Sequence, residues 1–201
     1  MALKKISRKK MCEALNKIIG KIYKGDFSHI VEILNEYKIN LHTVDPEGCT
    51  LLWSLGTCLL ASDPPKMNRS IIAGMQFLID QGADVNHQIN NGCTLLFLVA
   101  GNGRSNPEAV EMLIRNGADV NITDNDGSVA LVRAIAGFEN GKPEAFTPLL
   151  KAGADPYLKL DKEIFGCESP VEMVEQCESE KQTQLKTLFF KALKDLGKLK
   201  K

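Results

Sequence analysis

Apolar residues recur along the chain in short stripes with helical spacing, separated by runs of small and polar residues. Val110, Leu113 and Ile114 make one stripe in "AVEMLI". Met75, Leu78 and Ile79 repeat it one copy earlier, and Phe146, Leu149 and Leu150 one copy later. The spacing predicts an amphipathic helix in each case. Every stripe runs into a glycine: "LIDQGADVN" at Gly82, "LIRNGADVN" at Gly117 and "LLKAGAD" at Gly153. Glycine adopts left-handed backbone angles without steric cost, so these positions predict helix stops. "NPEA" at Asn106 predicts a helix start, with an N-cap side chain, a proline in first place and an acid near the dipole.

The three glycines lie 35 and 36 residues apart. Self-similarity at that period marks a stacked helical array. Before each second helix come a turn ("DPEGCT" at Asp45, "INNGCT" at Ile89, "DNDGSV" at Asp124) and a short apolar helix ("LLWSLG", "LLFLVA", "ALVRAIA"). One such helix pair cannot bury its stripe alone, so the copies must stack. The ends read as worn copies. Upstream, "GDFSHIVEILNEY" repeats the second-helix pattern through Ile30, Ile33 and Leu34, with Tyr37 in place of the glycine, and "MCEALNKIIGKIY" is its partner. Downstream, "GCESPVEMVEQC" is a weaker first helix. "QLKTLFFKALKDLGKLKK" is an amphipathic terminal helix with Leu185, Leu188, Phe189, Ala192 and Leu196 on one side.

This pattern resembles the ankyrin-repeat family, whose signature is a D-x-x-G-x-T-P-L-H turn and first helix, then a second helix ending L-L-x-x-G-A-D-V-N. Asp45, Gly48, Thr50 and Leu52 match the first part, as do Gly92, Thr94 and Leu96. The closing signature is complete at Gly82–Asn86 and Gly117–Asn121 and partial at Gly153–Asp155. The resemblance spans about residues 14–195 and is strongest over 45–156. It implies an all-α ankyrin solenoid of about five helix-turn-helix repeats, with short β-hairpin-like fingers and degenerate caps at both ends. The expected divisions are a basic arm (1–12), an N-terminal cap (13–44), three repeats (45–87, 88–122, 123–158) and a C-terminal cap with a basic helix (159–201).

The chain departs from the family in places. Leu52–Gly82, Leu96–Gly117 and Leu131–Gly153 are 30, 21 and 22 residues apart, longer than the usual spacing. The largest excess contains "ASDPPKMNRS", a proline-rich loop signal. The usual T-P-L-H becomes "TLLW", "TLLF" and "VALV". Pro148, inside a second helix, is expected to kink it.

Composition narrows the function. No apolar run approaches the ~20 residues of a membrane helix, and the basic N-terminus lacks the apolar core of a signal peptide. Six cysteines (12, 49, 58, 93, 167 and 177) without CxxC spacing suggest reduced thiols in a cytosol. The net charge is zero but unevenly spread, with +5 over residues 1–10, +6 over 181–201 and −11 between. An acidic body argues against a nucleic-acid groove.

An enzyme needs a nucleophile, a base or a metal set held together, and the chain has only three histidines. His42 and His87, 45 residues apart, and Cys49 and Cys93 read as matched positions along one edge. Neighbouring repeats stack about 10 Å apart, whereas zinc needs its ligands at about 2.0–2.3 Å from one ion, so no metal or cofactor is expected. "GNGRSNPE" at Gly101 lacks the GK[ST] ending of a phosphate loop and reads as a helix–helix turn. Trp53 and Phe97 are matched aromatics, read either as inter-repeat core or as interface anchors.

The resemblance implies a non-catalytic module, monomeric by itself, that binds another protein through finger tips and the inner faces of the first helices. Carried onto this sequence, the contacts are Pro46, Glu47, Cys49, Asn90, Asn91, Cys93, Asn125, Asp126 and Ser128, then Gly101 and Asn102, with Trp53 and Phe97 as anchors. Two related readings are a regulatory subunit or inhibitor of an enzyme or transcription factor, and an effector that an intracellular bacterium delivers to host proteins.

Overall fold

The computed structural model describes residues 4–61, 65–101, 106–137, 145–177 and 180–199. Among them are eleven helices and no strand. Clustering of contacts divides the chain into two compact units, Met1–Asn90 and Asn91–Lys201.

The first unit holds α1 (Arg8–Ile22), α2 (Ile30–Glu36), α3 (Leu51–Ala61) and α4 (Pro65–Asp80). Helix α1 packs on α2, α3 and α4, and α3 packs on α4. Met11, Ile18, Ile22, Leu51, Leu55, Ile71, Met75 and Leu78 form the core, burying the apolar faces read from the sequence. Gly74 sets the α1–α4 approach, because a Cβ there would meet the Ile22 side chain. The rings of Phe27 and Phe77 stack with centroids 5.6 Å apart.

The second unit holds α5 (Leu95–Gly101), α6 (Pro107–Arg115), α7 (Ala130–Ala136), α8 (Phe146–Lys151), α9 (Lys162–Phe165), α10 (Pro170–Glu175) and α11 (Glu180–Asp195). Its helices form two layers. First helices meet first helices (α5 on α7, α7 on α10) and second helices meet second helices (α6 on α8, α8 on α11). Leu113, Leu131, Leu149, Leu150, Leu185, Phe189 and Leu193 are buried between them. Helix α6 starts as its sequence predicts: the Asn106 side chain accepts a bond from Ala109 N, and Pro107 follows in first place.

Each second helix ends in one motif. At Gly82 (φ 95), Gly117 (φ 84) and Gly153 (φ 104) the backbone turns left-handed. The glycine N–H and the next N–H then bond back to the last turn, as in Gly82 N to Ile79 O at 2.8 Å and Ala83 N to Leu78 O at 2.9 Å. The aspartate of "GAD" bonds ahead: Asp84, Asp119 and Asp155 each accept the N–H two residues on, at 2.8–2.9 Å. Both caps keep the reversal. Gly197 (φ 64) closes α11, and in the first copy the left-handed residue is Lys38 (φ 52), not Tyr37. Lys38 N bonds to Asn35 O and Ile39 N to Leu34 O, while Asn40 takes the aspartate's role by accepting from His42 N.

Three sequence expectations are corrected here. "PKMNRS" is not a loop: helix α4 begins at Pro65, and the extra residues of that repeat lengthen α3 to 11 residues and α4 to 16, against 7 and 9 in α5 and α6. Residues 62–64 lie outside the described residues. Pro148 does not kink a helix, because α8 begins at Phe146 and a first-turn proline forfeits no intrahelical bond. The fingers are turns without a hairpin ladder; among the described residues the only bridge is a parallel one, Lys5 to Val44. That bridge ties the basic arm to the fold: Ile6 N bonds to Val44 O and Val44 N to Lys4 O, both at 2.9 Å, before α1 starts at Arg8.

Two predictions follow from the packing and the reversals. Leu113 is 0 % exposed at the centre of its stripe, so Leu113→Ala should cost about 2–5 kcal/mol in chemical denaturation. A cost below ~0.5 kcal/mol would contradict the register. Lys38 is exposed and held left-handed, so Lys38→Gly should raise stability by about 0.5–1 kcal/mol despite glycine's larger unfolded entropy. An unchanged or lower melting temperature would mean that its side chain compensates for the strain.

Candidate functional site

The finger turns run Asp45–Cys49, Ile89–Cys93 and Asp124–Ser128. In the first, Asp45 Oδ1 accepts from Glu47 N (3.0 Å) and Cys49 N (2.8 Å), while Asp45 N donates to Cys49 O. In the third, Asp124 Oδ1 accepts from Asp126 N (3.1 Å) and Ser128 N (2.8 Å), and Asp124 N donates to Ser128 O. The second turn has Ile89 in the aspartate's place, and Asn91 substitutes by accepting from Cys93 N at 3.1 Å. Asp124 is further held by Arg133, whose Nη2 lies 3.1 Å from Oδ2 of a carboxylate only 3 % exposed. A buried charge needs such pairing, and here both oxygens have donors.

Within each unit, one finger is bonded to the one before it. Asn90 N donates to Glu47 O at 3.0 Å, and Asn90 Nδ2 donates to Pro46 O at 2.8 Å. His87 Nε2 lies 2.8 Å from Gly48 O. In the second unit, Asn125 N donates to Asn91 O at 3.1 Å. The tip glycines make the approach possible: a Cβ on Gly48 would lie 2.7 Å from Asn90 Oδ1, and one on Gly92 would lie 2.7 Å from Asn125 N. Both glycines have positive φ as well.

This geometry sorts the contact residues inferred from the sequence. Pro46, Glu47 and Asp126 are exposed, with side chains that do no work inside their own turns. Among the described residues the Glu47 side chain makes one surface ion pair, with Arg8 at 3.4 Å. Asn91 is exposed but holds its own turn, and Asn90 and Asn125 are exposed yet join fingers. Trp53 is half-buried on α3, whereas Phe97 is 4 % exposed and belongs to the core, and Ser128 is 1 % exposed. Gly101 is a packing position: a Cβ there would lie 2.5 Å from Arg133 Cβ and 3.2 Å from its backbone. Asn102 lies outside the described residues. Sequence reasoning missed the joining role of Asn90 and Asn125 and the ion pair of Arg133. The glycine-plus-asparagine pairing was visible in "INNGCT" and "DNDGSV", but its meaning lies in a bond between copies.

The thiols at the fingers are poor nucleophiles. Burial, then the Asp45 charge, pushes Cys49 up to about 12, and burial with the Asp124 carboxylate raises Cys93. Among the described residues no group of three or more His, Cys, Asp or Glu is arranged to hold a metal ion. The histidine register also shifts: the shared bonding pattern aligns His42 with Asn86, whose N–H bonds likewise run two residues back, so His87 is not its counterpart. One cluster superficially suggests acyl-transfer chemistry. Asp26, Ser28 and His29 lie together, but His29 Nδ1 is 2.7 Å from Asp26 Oδ1 and 3.2 Å from Ser28 Oγ, and Ser28 itself bonds Asp26. A working triad needs the serine on the nitrogen opposite the aspartate. With Lys21 at 3.1 Å from Asp26, the cluster clasps the α1–α2 turn, and its donors, His29 first, hold the Asp26 carboxyl well below the usual range.

The finger bonds predict an unequal response to mutation. Asn90→Ala removes the amide bond to Pro46 O and should cost about 1–2 kcal/mol in denaturant unfolding, whereas Asp126→Ala should stay within about 0.5 kcal/mol. Equal costs at the two positions would refute the distinction between joining and exposed finger residues.

The family description "Ankyrin repeats (3 copies)" matches residues 67–159. No curated protein matches the chain. No helix among the described residues is long and apolar enough to cross a membrane. The matched segment takes in the reversals at Gly82, Gly117 and Gly153 and the two turns at Ile89 and Asp124. Over residues 67–159 the chain carries ankyrin repeats.

Proposed function

We propose that the chain is a non-catalytic binding module that meets a protein partner through the exposed finger residues Pro46, Glu47 and Asp126, with Trp53 adding apolar area. Ankyrin repeats are in general protein–protein interaction modules. The observation that carries the reading is a division of labour inside the fingers. Asp45, Asp124, Asn90, Asn125 and the tip glycines fix the backbone, while Glu47 and Asp126 stand at matching positions with exposed carboxylates. Charges held on a fixed backbone bind with little ordering cost. Both are acidic, and residues 11–180 carry a net −11, so a partner with a basic segment is steered toward them.

The test compares two pairs of charge reversals: Glu47→Lys with Asp126→Lys at the fingers, and Glu32→Lys with Glu111→Lys on exposed helix faces. (Glu144, a natural third helix position, lies outside the described residues.) The finger pair breaks only the surface pair to Arg8, so both double variants should unfold within about 1 kcal/mol of the parent. Affinity capture with quantitative mass spectrometry should recover the same partner with the parent and the helix pair, and at least about tenfold less with the finger pair. Loss of the partner in the helix pair alone would overturn the assignment.

A further inference from the structure

The finger joint occurs twice and then stops. In register with Asn90 and Asn125 the next copy has Asp161, since Leu160 N bonds to Glu168 O as Asp124 N bonds to Ser128 O. The fourth finger is longer and carries α9, and the Asp161 side chain is turned to the start of that helix, where it accepts from Glu163 N at 2.9 Å. It therefore does not rest on the third finger. Among the described residues nothing lies within 4 Å of a Cβ built on Gly127, whereas Gly48 and Gly92 are covered by Asn90 and Asn125. The Asp126 carbonyl, which matches Glu47 O and Asn91 O, receives no backbone N–H among the described residues. Asp126 and Gly127 are both exposed.

We infer that the open side of the third finger, at Asp126 and Gly127, is a docking seat for an asparagine-bearing turn of a protein partner. The chain itself displays the fitting chemistry. Against Gly48, the occupant is an asparagine that gives its backbone N–H to the carbonyl at the tip and its side-chain amide to the preceding carbonyl. Against Gly92, an asparagine again gives its backbone N–H. An aspartate would keep the backbone bond but lose the side-chain one, because a carboxylate has no hydrogen to donate, and it would face the charge of Asp126. Glycine at 127 keeps the seat deep enough for a second backbone to approach, as it does at the two filled joints. The inference rests on the reading that the fingers face a partner, and it adds which atoms the partner presents.

The test uses the intact chain, labelled with nitrogen-15, and a peptide of its own residues 86–92, NHQINNG, which carries the asparagine that fills the first joint. The control peptide has Asn90→Ala and Asn91→Ala. With few bonds and no preorganisation, binding should be in the millimolar range, at about −4 kcal/mol. The amide resonances of Asp126 and Gly127 should shift and saturate, and the control should bind at least about fivefold more weakly. Equal affinity for both peptides, or no saturable change at these two amides by about 5 mM, would overturn the inference. Because the peptide is not acidic or basic in its side chains apart from one histidine, this result is independent of the charge-reversal comparison, so either reading can fail alone.

Discussion

Everything in the fold depends on one local constraint, the left-handed residue that closes each second helix. With φ near 90° at Gly82, Gly117 and Gly153, two successive N–H groups turn back onto the last helical carbonyls. Those carbonyls would otherwise be orphaned. The same reversal turns the chain out of the helix, and the aspartate of "GAD" holds the next residues by accepting an N–H two places on. Within the second unit, the finger at Asp124 then lies against the one before it, and α7 packs on α5. The stripe on each second helix supplies the energy of stacking, but the reversal decides where the stripe faces.

That constraint explains what could be read in advance. Glycine spacing and stripes are local signals, so the second helices, their stops and the stacked arrangement were legible. Misreadings arose where one residue type did another's work. Lys38 accepts a strained φ of 52, which hid the first reversal one place from Tyr37. "DPP" reads as a loop because proline ends helices, yet proline also begins them, and Pro65 stands first in α4. Pro148 follows the same logic at the start of α8. The contact residues were harder still. Asn90 and Asn125 look like variable tips, and only the bond across to the previous finger reveals them as framework.

The fingers separate support from display more cleanly than sequence position suggests. Residues one place apart have opposite duties: Asn90 joins and Asn91 holds its turn, while Asn125 joins and Asp126 is exposed. Mutational drift at Glu47 or Asp126 meets no packing penalty, whereas Gly48 faces a backbone and side chain within 3.3 Å of any added Cβ. An array built this way can vary its exposed finger residues without changing its fold.

The fourth finger shows how a repeat can be altered without loss of the array. Gly166 (φ 70) closes α9, and Leu160 N still reaches Glu168 O at 2.9 Å, so the longer segment leaves and returns at the same two points as a short turn. Ser169 then caps α10 by accepting from Glu172 N, and Pro170 follows in first place, which restarts the helix where the other copies restart theirs. The insertion thus changes only what the finger displays. It removes the asparagine joint, exposes Ile164 (55 %) at the new tip, and leaves the underlying layers of α7, α8, α10 and α11 packed as before. The atoms that pack the layers and those that stand at the finger tip are different atoms of the same repeat, so lengthening the finger costs a single joint and leaves the layers intact.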